Sequence, residues 1–226
     1  MLPIEIKNNL SEAEETYLQS RWNRICEVLA IPKTAADNIY DQVHFEYADW
    51  SRAYHNLSHI HSLLQLSEQY QTQLKEAALF DMAIWFHDYI YDTGRKDNEA
   101  QSAHWAKELL MPYLKKEELN YISSLILCTE GHQPRLAPEN TDQYWLLDFD
   151  LAVLATDKTV YKAYSDAIRE EYKSLFSYFT YNIGRKKVMK GFLKRKTLYF
   201  TEEFQEKYET IARENIEWEI RGLKES

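Results

Sequence analysis

Three short strings carry the residue types that do chemistry. The first is Tyr54-His55-Asn56-Leu57-Ser58-His59-Ile60. On a helix His55 and His59, four apart, differ by about 40° and share a face, while His61 lies about 200° from His59 and points away. Two imidazoles on one face serve as a metal pair, or as a ligand with a proton donor beside it; a plain pair of histidines bonded to backbone is the unremarkable alternative. The second is His87-Asp88, closing an apolar run that holds Phe80, Ile84, Trp85 and Phe86. An ionised aspartate beside buried apolar surface costs several kcal/mol unless it is paired. A divalent cation would pair both side chains at once, and a buried His–Asp hydrogen bond would also answer. In the third, Leu146-Leu147-Asp148-Phe149-Asp150-Leu151, acids again interrupt apolar residues. Residues two apart on a helix diverge by about 200°, so Asp148 and Asp150 cannot both reach one ion from a regular helix.

These strings need helices to position them, and helical signals run the length of the chain. Ser11, followed by Glu12, Glu14 and Glu15, reads as the cap of a helix to about residue 30, which Pro32 ends. Further helices are expected at about 34–49, 56–72, 74–91, from 97 or 98 onward, 117–129, 142–156, 158–178, 185–196 and 201–221. Asn98 and Gln101 could form a capping box. The segment 74–91 is apolar nearly all round, the mark of a buried helix. Residues 131–141, with two of the five prolines, form the one long irregular stretch. No repeat, low-complexity tract or linker interrupts the pattern, so one all-α domain over 1–226 is expected.

Composition bounds the rest. Five glycines and five prolines are too few for a many-stranded sandwich, and 45% hydrophobic residues are too many for a disordered chain. A net charge of −9 argues against a general nucleic-acid binder. Cys26 and Cys128 lie far apart among aliphatic neighbours and read as buried free thiols. The start, MLPIEIKNNL, lacks the basic-then-apolar pattern of a signal peptide, and no apolar stretch approaches the ~20 residues of a membrane span. A cytoplasmic protein is expected. The aromatic content would allow a homo-oligomer without demanding one.

The order His, His-Asp, Asp on an all-helical chain resembles the HD superfamily of metal-dependent phosphohydrolases, and YHNLSHI is similar to the Tyr-His-Asn-x-x-His signature of cyclic-nucleotide phosphodiesterases. The whole chain looks more closely like a small bacterial family of predicted HD phosphohydrolases of unassigned substrate. That likeness runs through YHNLSHI, FHDYIYD, DNEAQSA, residues 129–132, LLDFDLAVLA, IREEY and GRKKV, over about residues 10–220. It implies an HD-type helical bundle with helical extensions at both ends. It also implies a divalent cation (Mn, Fe, Co, Ni, Zn or Mg) on His59, His87, Asp88 and Asp150, with Asp150 matching the family's last aspartate better than Asp148. By analogy with the phosphodiesterase signature, His55 is the general acid. Those enzymes carry a further histidine where this chain has Tyr91, so their specificity does not transfer. His104 and His132 are the only histidines between Asp88 and Asp150, which leaves a second metal open.

In the mechanism this implies, a metal-activated water attacks phosphorus, and Asp88 polarises the water. Glu99 or Asp92 orients water or ligands, although Glu99 would also complement a helix dipole as a first-turn acid. For substrate phosphate the candidates are His132, Arg135, Arg185 and Arg195. The two last belong to a run in which seven of the thirteen residues 184–196 are Lys or Arg, which could equally be a solvated helix face. The expected activity is hydrolysis of a small phosphate ester. Two alternatives are a non-catalytic metal- or nucleotide-binding regulator and an HD-type di-iron oxygenase, which would need further histidine ligands.

Overall fold

The computed structural model describes residues 2–223, and the chain is all-helical, with no strand among them. Ten α-helices are present among the described residues: α1 (Glu12–Val28), α2 (Lys33–Tyr47), α3 (Leu57–Gln69), α4 (Ala77–Phe86), α5 (Asn98–Leu110), α6 (Lys116–Thr129), α7 (Asp142–Asp150), α8 (Lys158–Glu171), α9 (Tyr178–Leu193) and α10 (Glu202–Gly222). Local chemistry sets several of the ends. Ser11 and Glu14 form a reciprocal capping box on α1, each satisfying the other's backbone N–H. Asp157, Ser177 and Thr201 cap α8, α9 and α10 with side-chain oxygens on first-turn N–H groups.

α4 packs against α1, α3, α5, α6 and α7, which explains its apolar character on every side. Phe80, Met82, Ile84, Trp85 and Phe86 are fully buried, and each contributes about 1.5–3 kcal/mol by leaving water. Its one interior acid, Asp81, is paired with Arg21 of α1 and accepts from Ser67 of α3. Cys26 and Cys128 are free and buried, and burial pushes the Cys26 thiol up to about 12.

Several boundaries differ from the sequence expectation, each for a local reason. Asn56 accepts from the Ser58 N–H at 2.9 Å and caps α3, so His55 stands before the helix and does not share a helical face with His59. α4 is confined to Ala77–Phe86, because Leu74 is extended, Glu76 is non-helical and the chain turns again from His87. No Asn98–Gln101 capping box forms. Asn98 instead brackets Asp92, accepting from its N–H and donating to its carbonyl, while Gln101 donates to Asp97. α7 stops at Asp150 and a 3-10 turn follows over Ala152–Ala155. α8 stops at Glu171, and the Ser177 cap starts α9 well before the basic run.

A candidate metal centre at the ends of three helices

α3, α4 and α7 pack on one another pairwise, and each delivers a donor near one of its ends. His59 sits in the first turn of α3, His87 directly follows α4, and Asp150 is the last residue of α7. The Nε2 atoms of His59 and His87 are 3.2 Å apart. Asp150 Oδ1 lies 3.3 Å from His59 Nε2 and 3.8 Å from His87 Nε2. Asp88 Oδ2 lies 3.0 Å from His87 Nε2 and 3.9 Å from His59 Nε2. Around an ion with bonds of about 2.1 Å, ligand atoms fall about 3.0 Å apart at right angles and about 3.4 Å apart at the tetrahedral angle. The observed separations straddle those values. His59, His87 and Asp150 form a group that could hold a metal ion, and Asp88 stands within reach of the same point.

The protonation chemistry fits a cation as well. His87 Nδ1 lies 2.8 Å from the Ile84 carbonyl, a bond only an N–H can make, so Nε2 is the nitrogen that faces the centre. Burial lowers the pKa of His59 and so favours the neutral ring a ligand must be. Burial acts the same way on His87, but the Asp88 carboxylate beside it outweighs that and pushes His87 up to about 9. Asp88 and Asp150 resist the upward pull of burial. His87 holds Asp88 low, and hydrogen bonds from His132 and His59 hold Asp150 well below the usual carboxylate range. Without a cation, a proton on His87 offsets part of the charge of the two acids; a divalent cation would take its place.

The centre opens into a cavity of about 950 Å³ lined by Tyr54, His55, Asp88, Glu99, His132 and Asp150 on the metal side and by α9 on the other. His55 reaches it from outside α3. Its Nδ1 lies 2.8 Å from Glu171 Oε2, and its ring stacks on Tyr91 at 4.1 Å. The Glu171 side chain is fully enclosed. It accepts from the Tyr54 N–H at 2.7 Å, the His55 N–H at 2.9 Å and the Tyr91 hydroxyl at 2.8 Å. Burial opposes a charge on His55, but Glu171 reverses the balance and raises its pKa. Nε2 is the ring nitrogen left for a ligand in the cavity.

Arg52 is a second contributor from outside the three strings. Buried, it donates to the carbonyls of Asp88 at 2.6 Å, Tyr89 at 2.8 Å and His55 at 3.3 Å, tying the approach to α3 to the His87-Asp88 corner. Neither Glu171 nor Arg52 is singled out by sequence reasoning. Glu171 lies within IREEY, a stretch of the family likeness, but nothing local separates it from Glu170; Arg52 carries no signal.

Of the two aspartates, Asp150 joins the cluster. Asp148 faces the other way and accepts from the N–H groups of Phe200 and Thr201 and from the Thr201 hydroxyl, with burial pushing it up to about 7. Glu99 lines the cavity, half-buried, and burial raises its pKa. Asp92 serves its own turn, accepting from the Gly94 N–H at 2.7 Å. His132 comes to the centre, its Nε2 3.0 Å from Asp150 Oδ2. Arg135 is exposed, paired with Glu130 at 2.6 Å, and is not part of the cavity wall. Arg185 lines the cavity, yet its guanidinium is committed to the buried Glu219 at 2.8 Å. Arg195 lines it too, donating to the carbonyls of Gly131 and His132.

Fold and site together define an all-helical protein with a candidate His/Asp metal site opening on a large cavity. No family model, no curated protein and no solved structure matches the chain. Among the described residues, no helix is long and apolar enough to cross a membrane.

Proposed function

We propose that this chain is an HD-type metal-dependent phosphohydrolase of the cytoplasm, acting on a small phosphate ester such as a nucleotide or another phosphomonoester. The observation that carries the reading is the pairing of the His59–His87–Asp150 cluster with His55, held on buried Glu171 in the wall of the same cavity. A ligand set alone serves structure or sensing as well as catalysis. A carboxylate-held imidazole beside it is what proton delivery to a leaving group requires.

His59, His87, Asp88 and Asp150 would hold the cation, and their mixed nitrogen and oxygen donors suit Mn, Fe, Co, Ni or Zn better than Mg. When bound, a divalent cation supplies Lewis acidity toward a phosphoryl oxygen and acidifies water at its open positions. Asp88 orients that water through its free oxygen. His55, kept protonated by Glu171, gives its Nε2 proton to the departing oxygen, and Glu171 stabilises the charge before transfer. Lys96 adds positive charge to the cavity wall and favours an anionic substrate.

The test is metal content of the purified protein, with a panel of nucleotides and other phosphate esters assayed under each cation in turn. Bound metal together with phosphate release, lost in His87→Ala, supports the hydrolase. Bound metal with no turnover of any ester would leave a metal-binding regulator. A fully active, metal-loaded His87→Ala protein would remove the scheme.

A further inference from the structure

Beyond the end of α6 two consecutive residues adopt the left-handed conformation, Gly131 with φ 68° and His132 with φ 51°. Glycine enters that region freely, but a histidine does so under strain and needs outside support. The support comes from beyond the end of α9. Arg195 donates through Nη2 to the Gly131 carbonyl at 2.8 Å and through Nη1 to the His132 carbonyl at 3.1 Å. Its guanidinium lies 4.5 Å over the Phe192 ring, and the same ring meets His132 edge-on at 5.9 Å. Arg195 has no carboxylate partner among the described residues, so these two carbonyls and one ring are what fix it.

From this corner His132 turns inward to Asp150. The two oxygens of Asp150 are divided: Oδ1 stands with His59 and His87, and Oδ2 lies 3.0 Å from His132 Nε2. Asp150 is the final residue of its helix. We infer that His132 and Arg195 form a brace on Asp150, in which His132 donates Nε2–H to Oδ2 and aims Oδ1 at the cation, while Arg195 holds His132 at its left-handed corner. The inference rests on the metal-site reading above. It makes Arg195 a positioning residue for the metal centre and not a contact for substrate phosphate.

The experiment is titration of the whole protein with cobalt(II) chloride, followed by calorimetry and the visible cobalt spectrum, on the parent, His132→Ala, Arg195→Ala, Arg195→Lys and the double alanine variant. Removing a group that orients a ligand typically weakens metal affinity about 10- to 100-fold. His132→Ala is expected to lose affinity in that range with the ion count per chain unchanged. Arg195→Ala should lose less, and Arg195→Lys, able to serve one carbonyl, should recover part. Residues acting through one another are non-additive, so the double variant should bind no more weakly than His132→Ala alone. His132→Asn, whose side chain tolerates the left-handed region but is too short to reach Asp150 Oδ2, guards against misfolding at the corner and should lose affinity as His132→Ala does; parental affinity in His132→Asn would overturn the brace.

Unchanged affinity in His132→Ala would overturn the brace. So would an ion count falling from two to one, since His132 would then be a ligand of a second cation. So would an Arg195→Ala loss that persists in full when His132 is already absent. A parent protein that takes up no cobalt at all would overturn the metal site itself, an outcome distinct from the others.

Discussion

Glu171→Gln changes one oxygen to an amide nitrogen at a fully enclosed side chain that accepts four hydrogen bonds. The amide oxygen can keep the two backbone N–H groups of Tyr54 and His55. The new NH2 then faces His55 Nδ1 and the Tyr91 hydroxyl. Tyr91 can rotate to accept, and His55 must turn its Nδ1 lone pair toward the amide and become neutral. Two hydrogen bonds to a charged group are lost, each about 1.5–3 kcal/mol, partly replaced by neutral ones near 1 kcal/mol. The net cost is about 1–4 kcal/mol, or roughly 2–16 °C in Tm for a chain of this size. The pH dependence has a definite sign. Because Glu171 raises the pKa of His55, the stability this pair contributes is full below the ordinary histidine pKa of about 6.5 and fades as pH rises through the folded value. The gap in Tm between parent and variant should therefore narrow toward alkaline pH. Under the proposed function, the basic limb of the kcat profile moves to lower pH, and kcat at neutral pH falls about 10²- to 10⁴-fold, the usual worth of a general acid. Thermal unfolding from pH 5 to 10 and a pH–rate series on one phosphate ester read both effects. A variant with parental Tm, rate and basic limb would show that Glu171 does not sustain a charge on His55.

Cation binding should displace the proton that Asp88 keeps on His87, so apparent affinity should rise up to tenfold per pH unit until about 9, the pKa of that ring; calorimetry in buffers of different ionisation enthalpy would report the released proton, and pH-independent affinity would contradict it. In the metal-free protein the same raised pKa adds stability that is complete below about 6.5 and lost as pH passes about 9. The two aspartates of α7 should separate cleanly. Asp150→Asn should lose most metal affinity, whereas Asp148→Asn should keep it and instead lower stability by about 1–3 kcal/mol through the Phe200 and Thr201 N–H groups it holds, as a metal titration and an unfolding curve on each would show. Trp85→Ala, at a fully buried position of α4, should cost about 3–5 kcal/mol, against less than about 0.5 kcal/mol for Trp50→Ala at an 87% exposed one; similar denaturant midpoints for the two would contradict the central place given to α4.

Much of the molecule is readable from local sequence because helices are local objects. Ser11 with Glu14, and Thr201 ahead of two glutamates, are caps whose partners lie within one turn, and both act as expected. The all-round apolar run before His87 announces a helix surrounded by others, as α4 is. The same locality can mislead when a second local signal competes. His55 and His59 have helical spacing, but Asn56 between them is a strong capping residue and opens the helix after itself. His55 still reaches the site, by approaching from the preceding turn.

The sequence alone determined an all-helical chain, a buried fourth helix ending on His87-Asp88, and the residue types from which a metal site could be drawn. Helical spacing left Asp148 and Asp150 open and only the resemblance favoured Asp150, which the tertiary structure brings to His59 and His87; only the tertiary structure decided that Glu171 holds His55 from 116 positions away and that Arg185 is committed to Glu219. The physical reason is that a carboxylate or guanidinium has the same local signature whether it meets a ligand, a counter-ion or water. Its role is set by which long-range neighbour the packing brings within about 3 Å, and side-chain spacing along one helix contains no term for that.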